Sequence, residues 1–169
     1  FIKLESNGPI FFTQVRVGYH GRKFKLYKFR TMVNDAESKL DDLTKMNEQS
    51  GPVFKMGNDP RITSVGKWLR KYSIDELPQL YNVIKGDMNL VGPRPPIPSE
   101  VKRYKPEWHK RLNMKPGITG LWQISGRNEI VDFDDWVKLD LKYINDWSIK
   151  LDFLIILKTI PHIFRGSGQ

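Results

Sequence analysis

Apolar residues change their spacing several times along the chain, and each change marks a predicted element. Residues 10–17 and 23–30 are two runs rich in aromatic and β-branched residues, separated by Gly18-Tyr19-His20-Gly21. This pattern predicts a β-hairpin. On the second run Phe24, Leu26, Lys28 and Arg30 share one face by the two-residue repeat. That face reads in two ways: a half-buried strand with snorkelling basic side chains, or one that brings Lys28 and Arg30 to phosphate. Asn34 can cap a helix over residues 35–48, where Ala36, Leu40, Leu43 and Met46 or Asn47 keep helical spacing. Gly51-Pro52 ends it and Gly57-Asn58-Asp59-Pro60 forms a turn. Thr63 or Ser64 then caps a short basic helix that runs to Tyr72.

The stretch Ser73-Ile74-Asp75-Glu76-Leu77-Pro78-Gln79-Leu80 comes next. Read locally, Ser73 and Glu76 form a capping box and Asp75 suits the first-turn dipole. Pro78 is tolerated only in a first turn, so the helix begins close to Asp75. Such a start gathers both carboxylates at a helix N-terminus, a natural seat for phosphate. Adjacent helical residues point about 100° apart, which favours two separate roles over a shared-proton pair. Leu77, Leu80, Tyr81 and Ile84 give this helix an apolar face, and Gly86 stops it. Residues 87–91 read as a short strand. Gly92-Pro93-Arg94-Pro95-Pro96 is a rigid loop around one arginine: either a placed phosphate contact or a turn with a solvated side chain. Residues 101–112 read as a basic, aromatic helix, 115–127 as strand-like between glycines, and 151–164 as an amphipathic helix suited to a core or to a membrane interface.

Composition narrows the partners. The 169 residues suit one domain, 1–169, with net charge +9, which calls for nucleic acid, a phospholipid surface or a phosphorylated small molecule. The basic residues are spread along the chain without a nucleic-acid-binding signature, so no nucleic acid is expected, although a basic nucleic-acid-binding module or a peripheral membrane scaffold stands as the alternative. There is no cysteine, and His20, His109 and His162 lack metal-ligand spacing and receive no role. No apolar run of 18 residues is present, so any membrane-embedded part is expected upstream of Phe1.

Several segments together resemble the bacterial sugar transferases, the monotopic phosphoglycosyl transferases. These are Tyr27-Lys28-Phe29-Arg30-Thr31-Met32, Asp59-Pro60-Arg61-Ile62-Thr63 with Gly66 and Leu69-Arg70, Asp75 to Gln79, Gly86 to Pro95, and Lys115 to Arg127. The C-terminal half resembles the branch that starts capsule and exopolysaccharide synthesis. The resemblance implies transfer of a hexose 1-phosphate from a UDP-sugar to undecaprenyl phosphate, with release of UMP, at the cytoplasmic face of the inner membrane. It implies Asp75 as nucleophile, Glu76 as ligand of Mg²⁺, and Arg70 and Arg94 as phosphate and nucleotide contacts, with Lys28, Arg30 and Arg127 as further substrate-binding candidates. Implied partners are the UDP-sugar, a polyprenyl phosphate acceptor and the membrane lipid surface; a homo-oligomer is left open. Residues 131–136 resemble the Asp-x-Asp metal sites of sugar-nucleotide enzymes, but they directly precede a helical pattern and read as acidic N-terminal capping. The expected fold is α+β: a small antiparallel sheet surrounded by helices, some amphipathic and at the membrane interface.

Overall fold

The computed structural model describes residues 1–126 and 130–166. One helical turn, α1 (Ile2–Glu5), leads into the hairpin of β1 (Phe11–Val17) and β2 (Lys23–Phe29), paired antiparallel. His20 and Gly21 take φ of 51° and 80°, the left-handed values that let the chain reverse this tightly. The register pairs Phe12 with Lys28, Gln14 with Leu26 and Arg16 with Phe24. Paired residues share a face, so Arg16 joins Leu26 and Lys28 on one side of the sheet.

Residues 35–48 depart from the predicted helix. Only α2 (Leu40–Leu43) is α-helical, followed by a 3₁₀ turn at Thr44–Met46. Ala36 is buried but Met46 is 58% exposed, and a short helix that buries little has nothing to offset its nucleation cost. Asn47 orders the segment instead. Its amide donates to the carbonyls of Gln49 and Val53 (2.9 and 3.0 Å), and its Oδ1 accepts from Lys55 N–H (2.8 Å).

Helix α3 (Ser64–Lys71) starts where the sequence places it, with Thr63 Oγ1 accepting from Gly66 N–H at 2.9 Å. A second cap comes from α1, whose Glu5 carboxylate accepts from Ser64 and Val65 N–H (2.6 and 2.8 Å). Those backbone bonds, Val65 first, hold the Glu5 carboxyl below its ordinary value. The helix lies so close to the end of the hairpin that a Cβ on Gly66 would stand 2.0 Å from the Thr31 carbonyl oxygen. Helix α4 (Gln79–Ile84) is fastened to β2 through fully buried Asn82. Its Oδ1 accepts from Tyr27 N–H (3.2 Å) and its Nδ2 donates to the Lys25 carbonyl (2.7 Å). One side chain thus satisfies the strand edge as a third strand would.

The C-terminal half is built around a second small sheet. Strand β3 (Asn89–Val91) leads through α5 (Pro98–Val101) and a 3₁₀ segment (Pro106–Asn113) to β4 (Gly117–Thr119), which pairs with β3 in parallel. The single helix predicted over 101–112 is divided because Pro106 opens a new segment. The strand-like run from 115 shrinks to three residues before α6 (Leu121–Ile124). Helix α7 (Phe133–Asn145) follows, with Asp132 Oδ1 capping Asp134 N–H at 2.9 Å, and α8 (Ile149–Arg165) closes the chain. The α+β expectation holds, with two separate two-stranded sheets. Trp108, Trp122, Phe133 and Trp136 form an aromatic core around α7, while Val91, Tyr143 and Ile155 pack where α8 meets β3. One side of α8 is buried through Ile155; Phe153, Leu157 and Phe164 on the helix are exposed. Among the described residues no helix is long and apolar enough to cross a membrane.

Candidate active site

A cavity of about 330 Å³ lies between the hairpin, α4, the β4–α6 corner and α8. Among the described residues Arg16, Lys28, Glu76 and Arg94 are its charged lining residues. The turn that brings Glu76 there is not the predicted capping box. Ser73 has φ 54° and makes no side-chain cap, Ile74–Glu76 is a 3₁₀ turn, and the α-helix begins only after Pro78. The Glu76 side chain turns to the sheet, where Lys28 Nζ donates to its Oε1 at 2.7 Å. Lys28 Nζ also stands 3.9 Å from Asp75 Oδ2, so one ammonium faces both carboxylates.

Asp75 is only 6% exposed and, with Arg70, is set back from the cavity wall. Arg70 Nε donates to Thr31 Oγ1 at 2.9 Å. Burial lowers the Arg70 proton affinity, while the field of Asp75 pulls the other way.

Arg94 is held by a loop whose four carbonyls from Pro93 to Pro96 are engaged. The Pro93 oxygen accepts from Gly117 N–H (3.0 Å), Arg94 from Arg111 Nη2 (3.4 Å), Pro95 from Arg16 Nη1 (2.8 Å) and Pro96 from Val17 N–H (2.8 Å). Glycine is required where the loop meets β4: a Cβ on Gly117 would lie 2.0 Å from Gly92 N. The Arg94 guanidinium lies 5.7 Å from the Trp136 ring centroid, and its Nη1 lies 3.6 Å from Glu100 Oε1. Arg111 stands behind the loop, 5.6 Å from the same ring, donating to Asp140 Oδ2 (2.7 Å) and Tyr104 Oη (2.6 Å). Asp140 is 1% exposed, and burial pushes its carboxyl up to about 6 against the pull of Arg111. Burial likewise pushes the Tyr104 phenol up to about 12.

Arg16 was not singled out from the sequence. Its cross-strand pairing puts it beside Leu26 and Lys28, a signal available only once the hairpin register is known. Burial, and next the nearby Arg94, push its guanidinium down to about 9. Two guanidinium groups this close repel one another, an arrangement that suits an anion between them. His162, given no role from its spacing, also lines the cavity, together with Trp122, Gln123 and Thr159.

The structure separates Arg30 from Lys28. β2 ends at Phe29, and Arg30 turns its guanidinium to the N-terminal segment, donating to the carbonyls of Pro9 (2.6 Å) and Ser6 (2.8 Å) and to Ser6 Oγ. Arg30 therefore anchors α1, whose Glu5 caps the helix that carries Arg70. Arg127 lies outside the described residues. The acidic run before α7 is used locally: Asp132 caps, and Asp134 accepts from Trp108 Nε1 (2.7 Å) and Lys105 Nζ (3.0 Å). Among the described residues there is no cluster of three or more His, Asp or Glu side chains suited to a metal ion.

The family profile described as Bacterial sugar transferase matches residues 1–166. The chain belongs to this family. The bacterial sugar transferase chain is 56% identical over 164 residues to the galactosyl transferase CpsE of Streptococcus agalactiae, covering 97% of this chain and 36% of that protein. It is 46% identical to the undecaprenyl-phosphate galactose phosphotransferase of Salmonella typhimurium (96% and 35% covered). To the exopolysaccharide production protein ExoY of Rhizobium meliloti it is 42% identical (99% and 76% covered). The chain thus spans about a third of the length of the first two relatives. In this bacterial sugar transferase, some of the segments that carry the resemblance line the cavity, through Lys28 of β2, Glu76 and Arg94, whereas residues 59–63 and Arg70 lie outside its wall.

Proposed function

We propose that this protein transfers hexose 1-phosphate from a UDP-sugar to undecaprenyl phosphate, the first step of an exopolysaccharide or capsule. The observation that carries the reading is the convergence of the Asp75–Glu76 turn, Lys28, Arg16 and Arg94 on one cavity. A diphosphate donor needs this much positive charge before a carboxylate can approach it. In the first half-reaction an Asp75 carboxylate oxygen attacks the sugar-bearing phosphorus, and the bond from that phosphorus to the bridging oxygen breaks, sending its electron pair out with UMP. In the second, an oxygen of the acceptor phosphate attacks the same phosphorus and frees the carboxylate. Lys28 holds both carboxylates in place, and the arginines offset the charge of the donor.

Magnesium fits the donor set. Glu76 would offer a hard oxygen donor on the cavity wall, and Mg²⁺ commonly takes one or two protein carboxylates and fills its octahedron with water and phosphate oxygens. When bound there it would neutralise diphosphate charge. The exposed apolar residues of α4 and α8, among them Ile84 and Phe164, support seating on a membrane surface, which in this reading is the cytoplasmic face of the inner membrane, where the acceptor lipid would lie.

The test is UMP release from UDP-galactose and UDP-glucose, followed with intact-mass detection of a phosphohexosyl adduct. Asp75→Asn abolishes both. Near-normal turnover in Asp75→Asn, or an adduct lost only in Glu76→Gln, would refute the assignment of the nucleophile.

A further inference from the structure

Beyond the charged residues, the cavity is lined by Trp122 and Gln123 of α6, Thr119 of β4, and Thr159 and His162 of α8. The proton assignments there can be worked out. Gln123 Nε2 donates to the Ile118 carbonyl at 3.2 Å, and a flipped amide would set oxygen against oxygen. That fixes Oε1 as the remaining face of the amide, buried and without a hydrogen-bond partner among the described residues. Thr159 Oγ1 lies 2.8 Å from the Ile155 carbonyl, which cannot donate, so the Thr159 proton points there. In the 2.8 Å contact between Thr119 and Thr159 the donor is therefore Thr119. With both hydroxyl protons committed, the two threonine oxygens can only accept. Together with Gln123 Oε1 they supply three acceptors, beside the donor N–H of Trp122 in the same lining.

Trp136 ties the cluster to the charged residues. Trp122 packs on it, tilted by 31° at 4.0 Å between centroids, and the Arg94 guanidinium lies 5.7 Å from the same ring. A group bound among the acceptors would thus adjoin the phosphates bound by the arginines. A phosphate would leave the three acceptors unmatched, because it brings no protons to donate at neutral pH. A polyprenyl tail would leave the acceptors unsatisfied, at a cost for each. Uracil offers a single N–H between two carbonyls and could satisfy only one of the three acceptors. A hexose offers several hydroxyl donors on one compact ring.

The geometry points to the β4–α6 corner and the facing turn of α8 as the subsite for the hexose of the donor, with Gln123 and Thr159 as specificity-determining residues. This inference rests on the UDP-sugar reading of the cavity. Gln123 accepts from a sugar hydroxyl through Oε1, and Thr119 and Thr159 accept from a second.

Calorimetric titration with UDP, UDP-galactose and UDP-glucose separates the two ideas. In Gln123→Leu and, independently, Thr159→Val, the affinity for the preferred UDP-sugar falls about tenfold while that for UDP stays within about twofold, and the galactose-to-glucose preference shifts. Thermal melting checks that each variant is folded; Thr159→Val, close in shape to the native residue, stands in if Gln123→Leu does not fold. Equal losses for UDP and UDP-sugar in the folded variants would overturn the hexose subsite in favour of uracil. Unchanged affinities for all three ligands would overturn it as well. Wild-type protein that binds none of the three would instead refute the underlying UDP-sugar reading.

Discussion

Replacing Arg111 by methionine tests how the Arg94 loop is supported. Arg111 is 4% exposed and Asp140 1%, with Nε and Nη2 of the arginine 2.7 and 2.6 Å from Asp140 Oδ2. Methionine keeps most of the volume and removes the charge, leaving a buried carboxylate without its cation. Removing one partner of a buried ion pair costs about 3–5 kcal/mol. The cost depends on pH. Burial raises the folded Asp140 value to about 6, above its unfolded value, so the native state holds more protons between the two. The stability from this group is therefore present at low pH and is lost as pH rises through about 6. Without Arg111 the carboxyl is raised further, and the loss extends to higher pH. Urea unfolding followed by tryptophan fluorescence should show Arg111→Met strongly destabilised at about pH 8 and much less so at about pH 5. The double variant Arg111→Met/Asp140→Leu should regain most of the stability, because it buries no unpaired charge. Its UDP affinity should stay reduced, since the Arg94 carbonyl has still lost its donor. A single variant costing less than about 1 kcal/mol at pH 8, or a double variant no more stable than the single, would refute the account.

Other expectations follow from the same contacts. Arg16→Met removes a cavity cation and the donor to the Pro95 carbonyl, and should weaken UDP binding by about tenfold or more in calorimetry. Gly117→Ala places a Cβ 2.0 Å from Gly92 N and should destabilise the fold by at least about 3 kcal/mol in thermal melts, since the obstacle is backbone. Ser73→Gly relieves a non-glycine left-handed residue and should raise stability by about 0.5–1 kcal/mol, while adding freedom to the turn of Asp75 and lowering kcat. Magnesium titration of UDP binding should show tighter binding with the metal in wild type, and a much smaller gain in Glu76→Gln.

Local chemistry made part of this site legible in the sequence. The hairpin was readable because its turn glycines and alternating strands act over a few residues, and Thr63 was readable as a cap for the same reason. The carboxylate pair, Lys28 and Arg94 were marked by turn, strand and proline signals, and the structure brings Glu76, Lys28 and Arg94 to the cavity wall. Arg30 escaped the two-residue rule because the strand stops one residue before it. The capping box at Ser73 was a sound local reading that lost to a tertiary partner, Lys28, 48 residues away from Glu76. The β3–β4 pairing, the bond from Asn82 to the strand edge and the Arg111–Asp140 pair join residues far apart in sequence, and no short-range pattern encodes them.

The strut from Arg30 through α1 to α3 has a consequence for the order of folding. The hairpin closes over a few residues, whereas the Glu5 cap on α3 bridges 59 and 60 positions and the Arg70 bond to Thr31 bridges 39. Contacts of long separation carry the larger closure entropy and form after local ones. Collapse of the hairpin is therefore expected to precede delivery of Arg70 to Thr31, and the Glu5 cap on α3 to form later still. In stopped-flow refolding, recovery of nucleotide binding should lag recovery of the hairpin's backbone signal, and the lag should lengthen when Glu5 is replaced by glutamine.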